Sequence, residues 1–266
     1  MQRKFFCQLL AGVIVGLLLT ASAPADGVTI PADRQQYEWW GKLHAAHVEQ
    51  MSQGNIDLLL IGDSITHWWY REPELFDRFF GEFNPINLGI AGDQTSHVLW
   101  RLDHLPLDAI SPKVAMLMIG TNNIAHAVDR SPRATAEGIV EIVQKLQEHY
   151  PRMQIIVLHV FPRDEMPNGE LRQRVNEINA MLPGMLRRAQ FRGEQGTVFL
   201  ANINRVFLPR NGVISEDIMY DFLHLTAEGY ERWGNAVTPF IERAFQRYDR
   251  LERREQRFPR LRGMLR

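Results

Sequence analysis

Four short clusters of glycine and polar residues hold most of the chemistry this chain could perform. They are Gly62-Asp63-Ser64, Gly89-Ile90-Ala91-Gly92-Asp93, Gly120-Thr121-Asn122-Asn123 and Asp221-Phe222-Leu223-His224. A serine hydroxyl becomes a nucleophile when a neighbouring base takes its proton, and the base works best when a third group fixes its tautomer. Ser64, His224 and Asp221 have the side chains for those three roles. The negative charge that develops on an attacked carbonyl oxygen also needs donors, and backbone N–H groups are best exposed beside glycine. The N–H groups of Ser64 and Gly92, with the side-chain amide of Asn122, suit such an oxyanion hole. Each cluster alone has a plainer reading: a Gly-Asp-Ser after a strand is often a turn and helix cap, and Asp-x-x-His can be a surface ion pair. Their weight comes from occurring together.

Together they count only if the fold brings them to one place. Five short apolar runs bounded by turn residues predict strands over Ile56–Ile61, Pro85–Leu88, Val114–Ile119, Gln154–Val160 and Thr197–Ala201. Each is nearly continuous in apolar character, as strands covered on both faces are. Helices are expected over Gln35–Met51, Pro73–Phe80, Ser96–Leu102, Pro132–Tyr150, Glu170–Gln190 and Ala227–Tyr248. Ala136, Ile139, Val140, Val143 and Leu146 recur at helical spacing, and Thr226 offers a cap to the last helix. Gly193–Gly196 and Pro209–Gly212 read as surface turns. This alternation predicts an α/β fold, a three-layer α/β/α sandwich on a parallel sheet. Ligands of such sheets bind beyond the carboxyl ends of the strands. Three of the four clusters directly follow a predicted strand, and the fourth stands just before the last helix.

The four clusters are similar to the four sequence blocks of the SGNH (GDSL-type) hydrolase superfamily. Its signature serine, glycine, asparagine and histidine fall at Ser64, Gly92, Asn122 and His224, with the acid at Asp221. Within that superfamily the chain most resembles the catalytic subunits of intracellular platelet-activating-factor acetylhydrolase. The likeness runs through Asn87–Asp93, His97–Leu102 and Asp221–Thr226 and covers roughly residues 35 to 245. It implies a flavodoxin-like five-stranded sheet and metal-independent hydrolysis through an acyl-serine, with no cofactor. It also implies a small acyl pocket lined by Ile65, Thr121 and Leu223, hence selectivity for short acyl groups. Ile65 replaces the leucine of the Gly-Asp-Ser-Leu pattern, which bears on pocket shape rather than on mechanism.

The ends of the chain set it apart from those relatives. Arg3 and Lys4 precede an apolar stretch, Leu9–Leu19, followed by small residues up to Ala25. That is the pattern of a secretory signal peptide over residues 1–25, too short to span a bilayer. The export it implies, periplasmic or extracellular, means that neither an intracellular lipid substrate nor a WD-repeat partner carries over. The single cysteine, Cys7, would leave with the signal, so thiol chemistry is not expected. Loss of Arg3 and Lys4, with no acid lost, takes the net charge from -1 to -3, which does not suit a nucleic-acid partner. One hydrolase domain, 26–248, would then be followed by an Arg-rich tail, 249–266. Arg243–Arg266 holds nine arginines against Asp249, Glu252 and Glu255. A solvated helix end or frayed tail is the plain account, contact with an anionic surface or polymer the sharper one.

His44 and His47 share a helix face, but no carboxylate–histidine set accompanies them, so no metal site is expected. Asp93 and Asn123 are read as supports for turns and site hydrogen bonds. Trp39, Trp40, Trp68, Trp69 and Trp100 are read as core and rim packing. The expected substrate is a small-molecule or polysaccharide ester, with carbohydrate O-deacetylation preferred. A lysophospholipase or platelet-activating-factor-type acetylhydrolase is the alternative, and a non-catalytic glycan-binding module is the rival of another class. The sequence leaves a homodimer open.

Overall fold

The computed structural model describes residues 29–126, 131–189 and 197–257. Its strands are β1 (Leu58–Gly62), β2 (Pro85–Asn87), β3 (Val114–Met118), β4 (Gln154–Leu158) and β5 (Val198–Ala201), all parallel in the order β2-β1-β3-β4-β5. That is the flavodoxin-like order, whose reversal beside β1 opens a crevice at the carboxyl edge. Each strand lies where the sequence predicts one. The ends differ by one or two residues because the apolar runs continue beyond the paired backbone: Ile56 and Val160 are buried but unpaired within the sheet.

The continuous apolar runs are explained by alternation across a two-sided sheet. Leu59, Ile61, Ala115, Leu117, Ile155 and Val157 point into one hydrophobic cluster, while Leu58, Leu60, Val114, Met116, Ile156 and Leu158 point into the other. Helices α1 (Glu38–Ser52), α4 (Thr95–His104), α6 (Pro132–His149) and α7 (Glu170–Arg188) feed the first cluster, through Met51, Val98, Ile139 and Val175. Helices α3 (Pro73–Phe80) and α8 (Ala227–Arg257) feed the second, through Phe80, Trp233, Val237 and Ile241. The layers are therefore α/β/α.

Two short helices have no predicted span, α2 (Ser64–His67), expected only as a helix start beside Ser64, and α5 (Thr121–His126). Each begins directly at a strand end, inside the polar clusters, where one or two turns leave no periodic apolar stripe to read. Helix α8 also outruns its predicted end at Tyr248. Asp249–Arg257 continue it in place of a tail, with Arg152 paired to Glu255 at 2.8 Å. Nothing in that stretch breaks a helix, and the residue before Pro259 is the first disfavoured in one. The predicted signal segment 1–25, the turn at Gly193–Gly196 and residues 258–266 lie outside the described residues. Among the described residues, no helix is long and apolar enough to cross a membrane.

Candidate active site

Ser64 is the first residue of α2, immediately after β1. The Asp63 carboxylate caps that helix by accepting from Ile65 N–H at 3.0 Å. Asp63 is fully buried, and burial pushes its carboxyl up to about 7 against the pull of that N–H. The loop after β2 passes so close to α2 that a Cβ on Gly89 would stand 2.3 Å from His67 N, so only glycine fits there. Asn87 ties the two together, donating to Thr66 C=O at 2.9 Å and accepting from Gly89 N–H at 2.9 Å. Gly92, at φ +77, turns the loop through a conformation that L side chains rarely adopt.

Beneath that loop Asp93 is wholly buried. It accepts from Trp40 Nε1 at 2.7 Å and from Arg101 Nε at 2.9 Å. Burial raises the Asp93 carboxyl and lowers the Arg101 guanidinium, and each opposes the other's shift. Arg101 also donates to Leu88 C=O at 2.7 Å, fixing both ends of the loop. Asn122, the second residue of α5, donates from Nδ2 to Asp93 C=O at 3.0 Å. Its amide nitrogen carries a second hydrogen, and Ser64, Gly92 and Asn122 thus stand on neighbouring loops at one sheet edge. Asn123 pairs with Thr95 through both amide atoms, at 3.1 and 2.9 Å.

The last loop is closed by an antiparallel bridge between Met219 and Leu225, with Phe222 left-handed at φ 59. That sharp turn folds Asp221 back on the segment that follows. Its Oδ1 accepts from the backbone N–H of Leu223 (3.1 Å) and His224 (2.7 Å), while Oδ2 stands 2.6 Å from His224 Nδ1. Burial alone would raise the Asp221 carboxyl, but these bonds from His224 outweigh it and hold the group below its ordinary 3.8. His224 Nε2 in turn lies 2.9 Å from Ser64 Oγ. The carboxylate fixes the tautomer with a proton on Nδ1, which leaves Nε2 free to take the serine proton. An arrangement of this kind can carry out acyl transfer.

The three residues assigned to an acyl pocket are placed less uniformly. Ile65 is 1% exposed and packs in the core, and its C=O accepts from the Tyr230 hydroxyl at 2.8 Å. Thr121 is fully buried and its hydroxyl accepts from Arg163 Nη1 at 2.9 Å. Leu223 alone of the three stays half-exposed. His44 and His47 prove to be packed side chains, His44 between the rings of Trp40 and Trp100. Trp40 and Trp69 are fully buried, whereas Trp39 is exposed.

Several neighbours of the site are invisible to motif reading. The Trp68 ring lies 4.1 Å from the His224 ring, with the Arg71 guanidinium over it at 3.8 Å from its centroid, and the Tyr220 ring stacks 6.0 Å from the imidazole. Arg34, ahead of α1, donates to Ala91 C=O at 2.8 Å and lies 3.0 Å from where a Gly92 Cβ would be. Arg163, which holds Thr121, is itself fixed by Arg172, a donor to its C=O. Spacing gives none of these away; Trp68 opens the 3-10 turn that directly follows α2.

A family model, GDSL-like Lipase/Acylhydrolase family, matches residues 60–232. Platelet-activating factor acetylhydrolase IB subunit alpha1 of Pongo abelii is 35% identical over 209 residues, covering 78% of this chain and 84% of that protein. Among solved structures, a GDSL-like lipase from Bacteroides thetaiotaomicron superposes with a TM-score of 0.60 at 20% identity, over 78% of this chain and 98% of that one. An acetylxylan esterase from Geobacillus stearothermophilus superposes with a TM-score of 0.54 at 14% identity, over 72% and 94%. The chain belongs to the GDSL-like lipase/acylhydrolase family and is an ester-hydrolysing enzyme.

Proposed function

We propose that the protein is an exported esterase that removes short acyl groups, chiefly acetyl, from a carbohydrate by way of an acyl-serine. The observation that carries this reading is the unbroken chain Ser64 Oγ, His224 and Asp221, at 2.9 and 2.6 Å. Ser64 Oγ attacks the ester carbonyl as its proton passes to His224 Nε2. The tetrahedral oxyanion is held by the N–H groups of Ser64 and Gly92 and by the Asn122 amide. Its collapse breaks the bond to the leaving alcohol, which departs with the proton from His224. Water, deprotonated by His224, then attacks the acyl carbonyl, and Ser64 leaves as the hydroxyl. Asp221 stays ionised throughout, as its lowered carboxyl value requires.

A carbohydrate is favoured over a lipid by the rim. Tyr220, 45% exposed, stacks beside the His224 ring, and Tyr70, 58% exposed, packs on the His67 ring and accepts from Arg71, whose guanidinium covers Trp68; both offer flat apolar faces of the kind on which sugars stack. Likeness to carbohydrate esterases rests on fold alone. The name of the mammalian relative supports the second reading, acetyl release from a lipid, and both readings share the acetyl group. Ile65, Thr121 and Leu223 are assigned to the acyl end, and export is assigned to residues 1–25. The test is the initial rate of the protein and of Ser64→Ala on p-nitrophenyl esters from acetate to octanoate, beside acetylated xylan. Serine-dependent turnover confined to short acyl groups and extending to xylan is expected. Equal rates on octanoate and acetate contradict the short-acyl reading.

A further inference from the structure

Helix α8 changes character along its length. Its first half packs on the sheet through Trp233, Val237 and Ile241, and its second half carries Arg243, Arg247, Arg250, Arg254 and Arg257 at alternating spacings of four and three. At about 100° per residue these five arginines fall within an arc of roughly 80°, over about 21 Å of helix. Glu242, Asp249, Glu252 and Glu255 all lie about 100° or more from the centre of that arc. The stripe is therefore one-signed in a chain whose net charge is -1.

The arginines do not stand over a plain polar surface. Arg243, Arg247 and Arg250 border a cavity of about 620 Å³ between α8 and the edge strand β5, floored by Ile156, Val198, Leu200 and Phe240. Two guanidinium groups are laid over rings at its mouth, Arg243 at 4.7 Å from the Phe240 centroid and Arg247 at 5.1 Å from that of Phe199. Apolar floor and cationic rim together match an amphiphile with an anionic head: phosphate on the guanidinium groups, acyl chain against the floor. A soluble polyanion would use the charges and leave the floor wet.

We propose that this stripe and cavity dock the protein on an anionic phospholipid surface. The orientation that follows is specific. Helix α8 starts three residues after His224 and runs back past the amino end of β4, where Glu255 meets Arg152. The stripe runs along the α8 axis from mid-helix to the end remote from Ser64, so a docked enzyme lays its strands along the bilayer and presents the carboxyl edge of the sheet, with Ser64, to the side and not to the membrane. Docking would tether the catalyst near a surface without feeding it the lipids of that surface.

The test is co-sedimentation of the full chain with vesicles of about 30% phosphatidylglycerol in phosphatidylcholine, and with phosphatidylcholine alone, at two salt concentrations. At about 1 kcal/mol for each arginine near an anionic surface, the triple variant Arg243→Gln/Arg247→Gln/Arg250→Gln should bind the anionic vesicles roughly 100-fold more weakly. Its turnover of p-nitrophenyl acetate should be unchanged, which reports an intact fold. If the triple variant does not fold, Arg250→Gln alone should weaken binding about 5-fold. High salt should weaken the parent and not the phosphatidylcholine background. Residues 1–25 are common to parent and variants, so equal binding by all of them would assign the affinity elsewhere and overturn the proposal. Binding to soluble polygalacturonate without binding to vesicles would overturn it too.

Discussion

Ser64 can attack an ester only if its proton has somewhere to go and the new charge has somewhere to rest. His224 Nε2, 2.9 Å away, is positioned for the first need, and the proposed oxyanion donors, the N–H groups of Ser64 and Gly92 and the Asn122 amide, are assigned to the second. Asn122 is the one of those donors that is a side chain, although its amide also donates to Asp93 C=O at 3.0 Å. Asn122→Ala should lower kcat by about 10²- to 10³-fold with little change in KM, since its amide serves the transition state. Steady-state kinetics on p-nitrophenyl acetate would check this, and a loss confined to KM would remove Asn122 from the oxyanion hole. At this scale the sequence was informative where chemistry is local. Asp221 and His224 are three residues apart, and Ser64 follows its capping residue directly. Arg34, Trp68, Arg71 and Arg163 escaped because each meets the site through contacts, not through a motif of its own.

The loops that carry these residues are held by elements whose roles differ. The loop after β2 depends on a buried ion pair, Arg101 with Asp93, rather than on apolar packing. Removing one partner of such a pair leaves the other charge buried and alone. Arg101→Met should therefore cost about 3–5 kcal/mol in urea unfolding, and it should also loosen Gly92 and slow catalysis. A stability change under about 1 kcal/mol would mean that Trp40 and Arg34 hold Asp93 without it. Long elements were legible because their apolar periodicity is sustained, as in α6, whose predicted and observed spans differ by one residue. Of the short helices, α2 was legible only as a helix start at Ser64, where Asp63 caps it, and α5 was not legible, because one or two turns show no apolar stripe. The far end of α8, to Arg257, is the solvated helix end that the sequence left open beside a frayed tail, in keeping with arginine as a good helix former.

For the molecule as a whole, buried titratable groups make stability depend on pH. Burial lowers His44 to about 4, His47 to about 3 and His67 to about 4, from an ordinary 6.5. Between pH 6.5 and about 4 the unfolded chain takes up protons that the folded chain does not, so stability is retained above 6.5 and falls as the solution is acidified. Asp63 and Asp93, raised by burial, act in the opposite direction, but with His159, also lowered by burial, four imidazoles stand against two carboxyls. Urea midpoints should drop from pH 7 to pH 5, and His47→Gln should flatten that slope; a midpoint that rises on acidification would contradict the assignment. The α/β/α layering and the gathering of four distant clusters at one edge followed from the alternation of strands and helices, while the flavodoxin-like sheet was implied by the family resemblance. The arginine-rich stretch had raised contact with an anionic surface, but the apolar cavity beside it was not legible, because β5 and α8 come together only in three dimensions.

The central claim is that acyl transfer passes through Ser64, and it is tested most directly by trapping the intermediate. The protein is mixed with p-nitrophenyl acetate, quenched in acid within the first turnovers and digested for peptide mass analysis. The account predicts one acetyl group on the peptide containing Ser64, absent in Ser64→Ala, whose turnover is lost while its melting temperature is kept. Sustained turnover by Ser64→Ala, or acetylation at another residue with turnover intact, would contradict it.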